Sequence, residues 1–484
     1  MTTIHDQAMN YVYQQVLQRL LSFFSRAERT ALQLMIQRLV VSAGGMERIG
    51  DFKVMTIQSG TLDSCYTLAL LRAAQLSVAS RAPATFQLRV ATLRLSGTGS
   101  TALENIHRSN AALFLYDDPR VELLMVDNRE VLPFDHLAPI CEAGRESNRL
   151  NLLMVGHRRA WDGPLDLWDD GYLTTGEFYG QIARWDCGVD ALICSETPRQ
   201  QKQFLDGLRR AAQKANLGTS NYNVAGFDGL FAVLDDLGSD YYRELYAGHG
   251  RADWRPAGRL EACRRTTNID IHDMVVGKLE ERWPLLTEFL GVQIDEMAAH
   301  LSDSEYVSPA IAAHLRGLQA CVVSGNSYES GIAEYLQRAL VMMRRKLVPE
   351  RFCELALESF GNPADMAERR LLAAEEALKT LGLTEVQLIC LLFAPFIDGG
   401  AGLERFLRSC HPGMLVAMPE LHKAMQGHQV PEQVVQWMVD VSGLPVSLIG
   451  TLYRLSPVSV EEGIPVEDPH NDDADMIGEL SAGH

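Results

Sequence analysis

The first 45 residues read as two amphipathic helices. Residues 4–24 place Ile4, Val12, Val16, Leu17, Leu20, Leu21 and Phe24 at the spacing of one helix face. Ser25-Arg26-Ala27-Glu28 then forms a capping box, in which the hydroxyl caps a new helix and Glu28 reaches back. The second helix carries Leu32, Met35, Ile36, Leu39 and Val40 and stops at Gly44-Gly45. A pair this short must bury its stripe on a larger body. The expectation is packing within the chain, with a homodimer contact through residues 4–40 as the alternative.

From residue 46 to 222 the pattern alternates between short strand-like runs and helices. Strands are expected at Asp51–Gln58, Thr85–Leu95, Leu152–Val155 and Ala191–Cys194. Leu113–Tyr116 and Val121–Val126 flank the turn signal Asp117-Asp118-Pro119-Arg120 and read as a hairpin. The apolar face of Thr85–Leu95 switches near Ala91, which suggests a bulge. Thr61 caps a helix to about residue 79, and Thr197-Pro198 opens one that closes at Gly218.

Residues 223–456 carry almost no strand signal. They are successive amphipathic segments, with a cap-plus-proline start at Asn362-Pro363 and a capping box at Thr384–Gln387. Pro284 should kink or split the segment around it. The spacings are irregular and show no clean repeat. The fold class is therefore α+β: an N-terminal helical hairpin (1–45), a mixed-sheet α/β domain (46–222), an all-helical domain (223–456) and a disordered acidic tail (457–484).

Charge sharpens the picture only locally. The net charge over 484 residues is −18, but residues 457–484 hold eight carboxylates and no Lys or Arg; −18 less −8 leaves −10 for the rest. The body is mildly acidic and has no basic stripe interleaved with aromatics, so a nucleic-acid partner is not expected. No apolar run approaches the ~20 residues of a membrane helix, and the N-terminus has no secretory pattern. The nine cysteines (Cys65, Cys141, Cys187, Cys194, Cys263, Cys321, Cys353, Cys390, Cys410) are odd in number and widely spaced, without a CxxC pair. They read as reduced, mostly buried thiols of a cytoplasmic protein, with no cofactor and no metal.

One set of residues could carry chemistry. Cys65 follows the cap Thr61 and so starts a helix, where a thiol's pKa falls. His107 lies 42 residues on, and Asp127 20 further, at the end of a strand. The order resembles that of papain-like and transglutaminase-like enzymes over about 65 residues, although the Gly and Trp neighbours of such nucleophiles are absent here. The resemblance implies Cys65 as nucleophile, His107 as base and Asp127 as its orienter. The alternative makes Cys65 a small buried hydrophobe, leaves His107 exposed, and has Asp127 cap a turn with Asn128.

A second window places Trp161, Trp168, Tyr172, Phe178, Tyr179 and Trp185 among Asp162, Asp166, Asp169, Asp170, Glu177 and Asp186. This is either a partner-binding groove or an extended arm pinned down by its aromatics. Asp166, Asp169 and Asp170 lack the spacing of a calcium loop. Gly97-Thr98-Gly99-Ser100 sits between a strand and a helix, as phosphate-cradling loops do. It lacks the Lys and the third glycine of the known fingerprints, so a plain turn is expected.

With no intact catalytic motif, the leading expectation is a cytoplasmic interaction or regulatory protein with a protein partner. The rivals are a thiol enzyme using Cys65, His107 and Asp127, and a small-molecule sensor with an interdomain pocket.

Overall fold

A computed structural model describes residues 4–95, 97–127, 129–158, 171–195, 263–275, 279–293, 308–345, 350–361 and 366–457. The helix expected over 198–218 and the acidic tail beyond residue 457 lie outside the described residues.

The fold is α+β: a small mixed sheet joined to a large helical region. Its strands are β1 (Lys53–Ile57), β2 (Gln87–Leu93), β3 (Val121–Asp127), β4 (Glu130–Pro133), β5 (Ala191–Cys194) and β6 (Thr267–Asp270), in the order β4-β3-β2-β1-β5-β6. All neighbours run parallel except β3 and β4. The register sets Val54, Leu88, Val121 and Ala191 in one row and Met55, Arg89, Glu122 and Leu192 in the next, on the opposite face.

Helices cover both faces. On the first lie α1 (Ile4–Phe23), α2 (Arg26–Ser42), α3 (Leu62–Ala79) and α4 (Ser100–Ala112). Leu20, Leu32, Met35 and Leu39 of the hairpin share one core with α3 and with Val54, Leu88 and Ile193 of the sheet. The expected capping box is made: Ser25 Oγ accepts from the Glu28 N–H, and the Ser25 N–H donates to Glu28 Oε2 at 2.7 Å. Val16, Leu20, Phe24, Leu32, Met35, Ile36 and Leu39 of the apolar stripe are thus buried within the chain. On the second face lies α6 (Gly171–Arg184), whose end is held by buried Arg89. That guanidinium donates to the carbonyls of Ile182 (3.2 Å) and Trp185 (2.6 Å), the helix end where a cation is favoured.

Several expected elements differ. β2 pairs without a break along β1 and β3, and its middle five residues are all buried. The face switch near Ala91 is therefore no bulge; a parallel strand covered on both sides simply has no polar face. Leu113–Tyr116 is not a strand but the end of α4 and the turns after it, with Phe114 at φ 52°. The hairpin is instead β3–β4, which pair antiparallel with Asp127 opposite Glu130. Leu152–Val155 lies in α5 (Glu142–Arg158), and β6 falls in the stretch that read as all-helical.

α5 leaves the sheet for the other half of the molecule. Leu153, Met154 and Val155 pack in the helical core with residues of α12 (Met366–Leu381), α13 (Glu385–Phe393) and α17 (Val446–Arg454). The preceding helices are α7 (His272–Val275), α8 (Leu279–Pro284), α9 (Pro309–Leu318), α10 (Tyr328–Arg345) and α11 (Glu350–Gly361). Between α13 and α17 come α14 (Leu403–Cys410), α15 (Met418–Met425) and α16 (Glu432–Ser442). α8 does break at Pro284, continuing as a π turn over Leu285–Phe289. That turn joins the sheet core through Leu285 and Leu286. The sheet core thus draws on residues between Tyr13 and Val292, and the helical core on α5 and on residues between Ile311 and Leu452. No single helix among the described residues is long and apolar enough to cross a membrane; one bent pair, α16 with α17, passes on length and composition.

Candidate functional site at the carboxyl edge of the sheet

The structure does not bring Cys65, His107 and Asp127 together. Cys65 lies in the first turn of α3, as expected, but fully buried, and burial pushes its thiol up to about 11. Desolvation here outweighs the helix terminus. Gln58 Nε2 donates to its sulfur at 3.7 Å, and Ser109 and Ser64 also face the thiol. Ser109 sits on α4 two residues after His107, and two residues turn a helix by about 200°. His107 accordingly looks the other way. Its Nδ1 bonds Tyr116 Oη at 2.8 Å and its ring stacks on His136 at 3.8 Å. Burial and the neighbouring His136 lower its pKa. Asp127 accepts from the Cys141 N–H at 3.0 Å.

The aromatic window divides in the same way. Trp161 and Trp168 lie outside the described residues. Tyr172, Phe178 and Tyr179 fall in helix α6 rather than in an extended arm. Phe178 is buried, Tyr179 packs beside it with ring centroids 6.0 Å apart, and half-buried Trp185 offers its carbonyl to Arg89. The cysteines depart from expectation too: Cys65, Cys353 and Cys390 are buried, but Cys141, Cys187 and Cys263 are exposed.

What the topology does assemble is an edge. β1 is followed by α3 and β2, then α4 and β3, stepping one way along one face. The chain then crosses to β5 on the other side of β1, with α6 on the opposite face. The strand order reverses at β1, and the carboxyl edge at such a reversal is where open α/β sheets take ligands.

Helix starts gather there. Thr61 caps α3, its hydroxyl accepting from the Ser64 N–H. α4 begins at Gly99 with no side-chain cap, leaving backbone N–H groups of its first turn uncapped by a side chain. The two starts touch: at Gly60 (φ 80°) an added Cβ would lie 2.4 Å from the Ala102 carbonyl oxygen, so the approach requires glycine. The glycine-rich segment before α4 closes as a turn, with the Thr98 N–H donating to Leu95 O at 3.0 Å.

The charged groups of the edge follow the strands. Arg94, just past β2, is half-buried; its Nη1 donates to Thr98 O at 3.4 Å, and its Nε has no partner among the described residues. Burial lowers its pKa, and nearby Asp127 opposes this. Asp127 ends β3 and binds both the N–H and the thiol of Cys141, whose sulfur accepts the Gly144 N–H at 3.1 Å and so caps α5. Buried Gln58 Oε1 also has no partner among the described residues. Past β5, His272 Nδ1 approaches the Ser195 carbonyl at 3.4 Å. Sequence reasoning read the Thr61 cap and the Gly97–Ser100 loop but missed Arg94 and Cys141, which nothing local distinguishes.

A second buried polar cluster lies in the helical half. His314 Nδ1 bonds Tyr328 Oη at 2.8 Å, and Nε2 faces Glu385 at 3.6 Å. At that distance Nε2 has no hydrogen-bond partner among the described residues. Burial lowers His314 to about 4. No metal-ligating cluster occurs among the described residues.

The fold and this edge define an α+β protein with an open, mostly parallel sheet joined to a helical core. Comparison with protein-family models, with curated proteins and with solved structures finds no match.

Proposed function

We propose that the protein is a small-molecule sensor that takes an anionic ligand at the carboxyl edge of its sheet. The observation that carries this reading is the strand-order reversal at β1, with the starts of α3 and α4 side by side and Arg94 next to the start of α4. Helix starts offer N–H groups and a positive dipole end to an anion. Arg94 adds a charge with an unused donor, and Gln58 Oε1 offers an acceptor to a ligand hydroxyl or amine. The test is a thermal-shift screen of inorganic pyrophosphate and nucleoside phosphates on the full chain. A ligand at 100 times its Kd stabilises by about 2.7 kcal/mol. Its effect should shrink at least tenfold in apparent affinity in Arg94→Ala, with hydrogen-exchange protection at the starts of α3 and α4. A ligand that binds Arg94→Ala equally well and protects other amides would refute the site.

The interaction reading retains one specific support. α12 exposes Leu371 (67%), Leu372 (58%) and Leu378 (52%), more apolar surface than a lone helix face in water favours. Leu371→Glu/Leu378→Glu should abolish co-purification of any protein partner. Retention of that partner would remove this surface from consideration.

A further inference from the structure

We propose that Cys187 and Cys263 form a redox-responsive pair that closes a reversible disulfide at the amino edge of the sheet. The two residues are 76 positions apart, yet the Cys263 N–H donates to the Cys187 carbonyl at 3.1 Å, and both are exposed. They stand just before β5 and β6, in which Ala191 lies opposite Thr267; four residues back along each chain are Cys187 and Cys263. The 3.1 Å bond between their backbones keeps the two Cα atoms close to the separation of roughly 4.4–6.8 Å that a disulfide spans.

The surroundings hold this juxtaposition in place. Asp190 Oδ2 accepts from the Lys53 N–H (2.7 Å) and from Arg264 Nη1 (2.6 Å), which anchors the residue after Cys263 to the start of β5. The Thr267 N–H donates to Asp190 O at 2.9 Å. On the other side, Asp186, Cys187 and Gly188 have φ of 42°, 63° and 84°, three consecutive residues in the left-handed region. Two of them are not glycine, and such strain persists only where the surroundings impose it. The ion pair of Asp186 with Lys53 and the bond from the Val189 N–H to Ala183 O impose it here. The turn thus presents one thiol beside another on a fixed frame.

The oxidant is a low-molecular-weight disulfide such as glutathione disulfide. One protein thiolate attacks a sulfur of that disulfide, forming a mixed disulfide and expelling one glutathione thiolate. The second protein thiol, losing its proton, attacks the protein sulfur and expels the second glutathione. The protein loses two electrons and two protons, and glutathione disulfide becomes two glutathione thiols. The product ties the α6–β5 turn to the lead-in of β6, which among the described residues pairs with β5 alone. This edge lies opposite the proposed ligand site, so the pair stands or falls independently of that reading.

The experiment equilibrates the full chain in glutathione buffers of rising oxidised fraction, blocks remaining thiols with iodoacetamide, and maps non-reduced peptides by mass spectrometry. The expected product is a Cys187–Cys263 cross-link, reversed by dithiothreitol, absent in Cys187→Ser and Cys263→Ser, and retained in Cys141→Ser. The proposal is overturned if both cysteines end alkylated, or each carries glutathione, in buffers that oxidise other thiols of the protein. The wild-type map alone decides this, whatever the variants do.

Discussion

Replacing Asp118 by Asn should destabilise the sheet half strongly, and the structure sets the size. The Asp118 side chain is fully buried, 2.8 Å from Arg72 Nη1 and 2.7 Å from Arg120 Nη2. Arg72 is also fully buried and donates to Gln75 Oε1 and to the carbonyls of Leu113 and Phe114. Burial alone would raise the Asp118 carboxyl, but the Arg120 hydrogen bonds and the Arg72 charge outweigh it and pull it down to about 2 from 3.8. At about 1.4 kcal/mol per unit, the preference for the charged form contributes roughly 2 kcal/mol. Stranding a buried arginine without its partner costs more, about 3–5 kcal/mol. The expected loss at pH 7 is therefore about 2–5 kcal/mol. The carboxyl is depressed, so its contribution is complete above the unfolded pKa near 4 and disappears as pH falls toward 2. The gap between wild type and variant should close over that same window. Hydrogen exchange at Leu88, whose N–H donates to Arg120 O, and at Val121, whose N–H donates to Asp118 O, reports the local opening. A loss below about 1 kcal/mol at pH 7, or an unchanged gap near pH 2, would show that the pair does not hold this turn. Arg72→Met combined with Asp118→Leu should recover part of the loss, since apolar replacement of both charges removes the stranded one.

Further outcomes follow from burial and close contact. Gly60→Ala should cost about 1–3 kcal/mol, because φ is 80° and the new Cβ meets Ala102; an unchanged melting temperature would contradict the contact. Gly156→Val should separate α5 from α13, since a Cβ at residue 156 already lies 2.6 Å from Leu391 Cδ1; loss of the helical core's cooperative melting is the readout, and a wild-type melt would count against it. Iodoacetamide at pH 7.5 should label exposed Cys141 long before Cys65, whose thiol is pushed up to about 11; equal rates would mean that α3 opens readily. Thr384→Ala should lose about 1 kcal/mol through the capping box it makes with Gln387, read by urea denaturation; no shift would show that the cap is idle.

Local signals were legible and long-range ones were not. The caps at Ser25, Thr61, Ser308 and Thr384 are made by the side chains of those residues. Of these, Ser25, Thr61 and Thr384 can be read directly from residue spacing. Leu152–Val155 misleads because a helix buried on most sides carries the same unbroken apolar run as a buried strand. β6, with the sequence Thr-Asn-Ile-Asp, is a short polar edge strand and has almost no apolar pattern to detect. For the candidate site, the sequence places Cys65 at a helix start, but only the packing shows Ser109 facing it in place of His107. Arg94 gains its setting from the ends of β2 and β3, which are 33 residues apart in sequence at that point.

The route of α5 has a consequence for how the chain is made. Arg149 on α5 donates to the carbonyl of Gly443, 294 residues later. At synthesis rates of about 5–20 residues per second, that partner emerges roughly 15–60 s after Arg149. Through that interval Leu153, Met154 and Val155 have no finished core to enter. A ribosome-bound chain stalled before α16 should therefore bind holdase chaperones at residues 142–158, and release them once α17 is out.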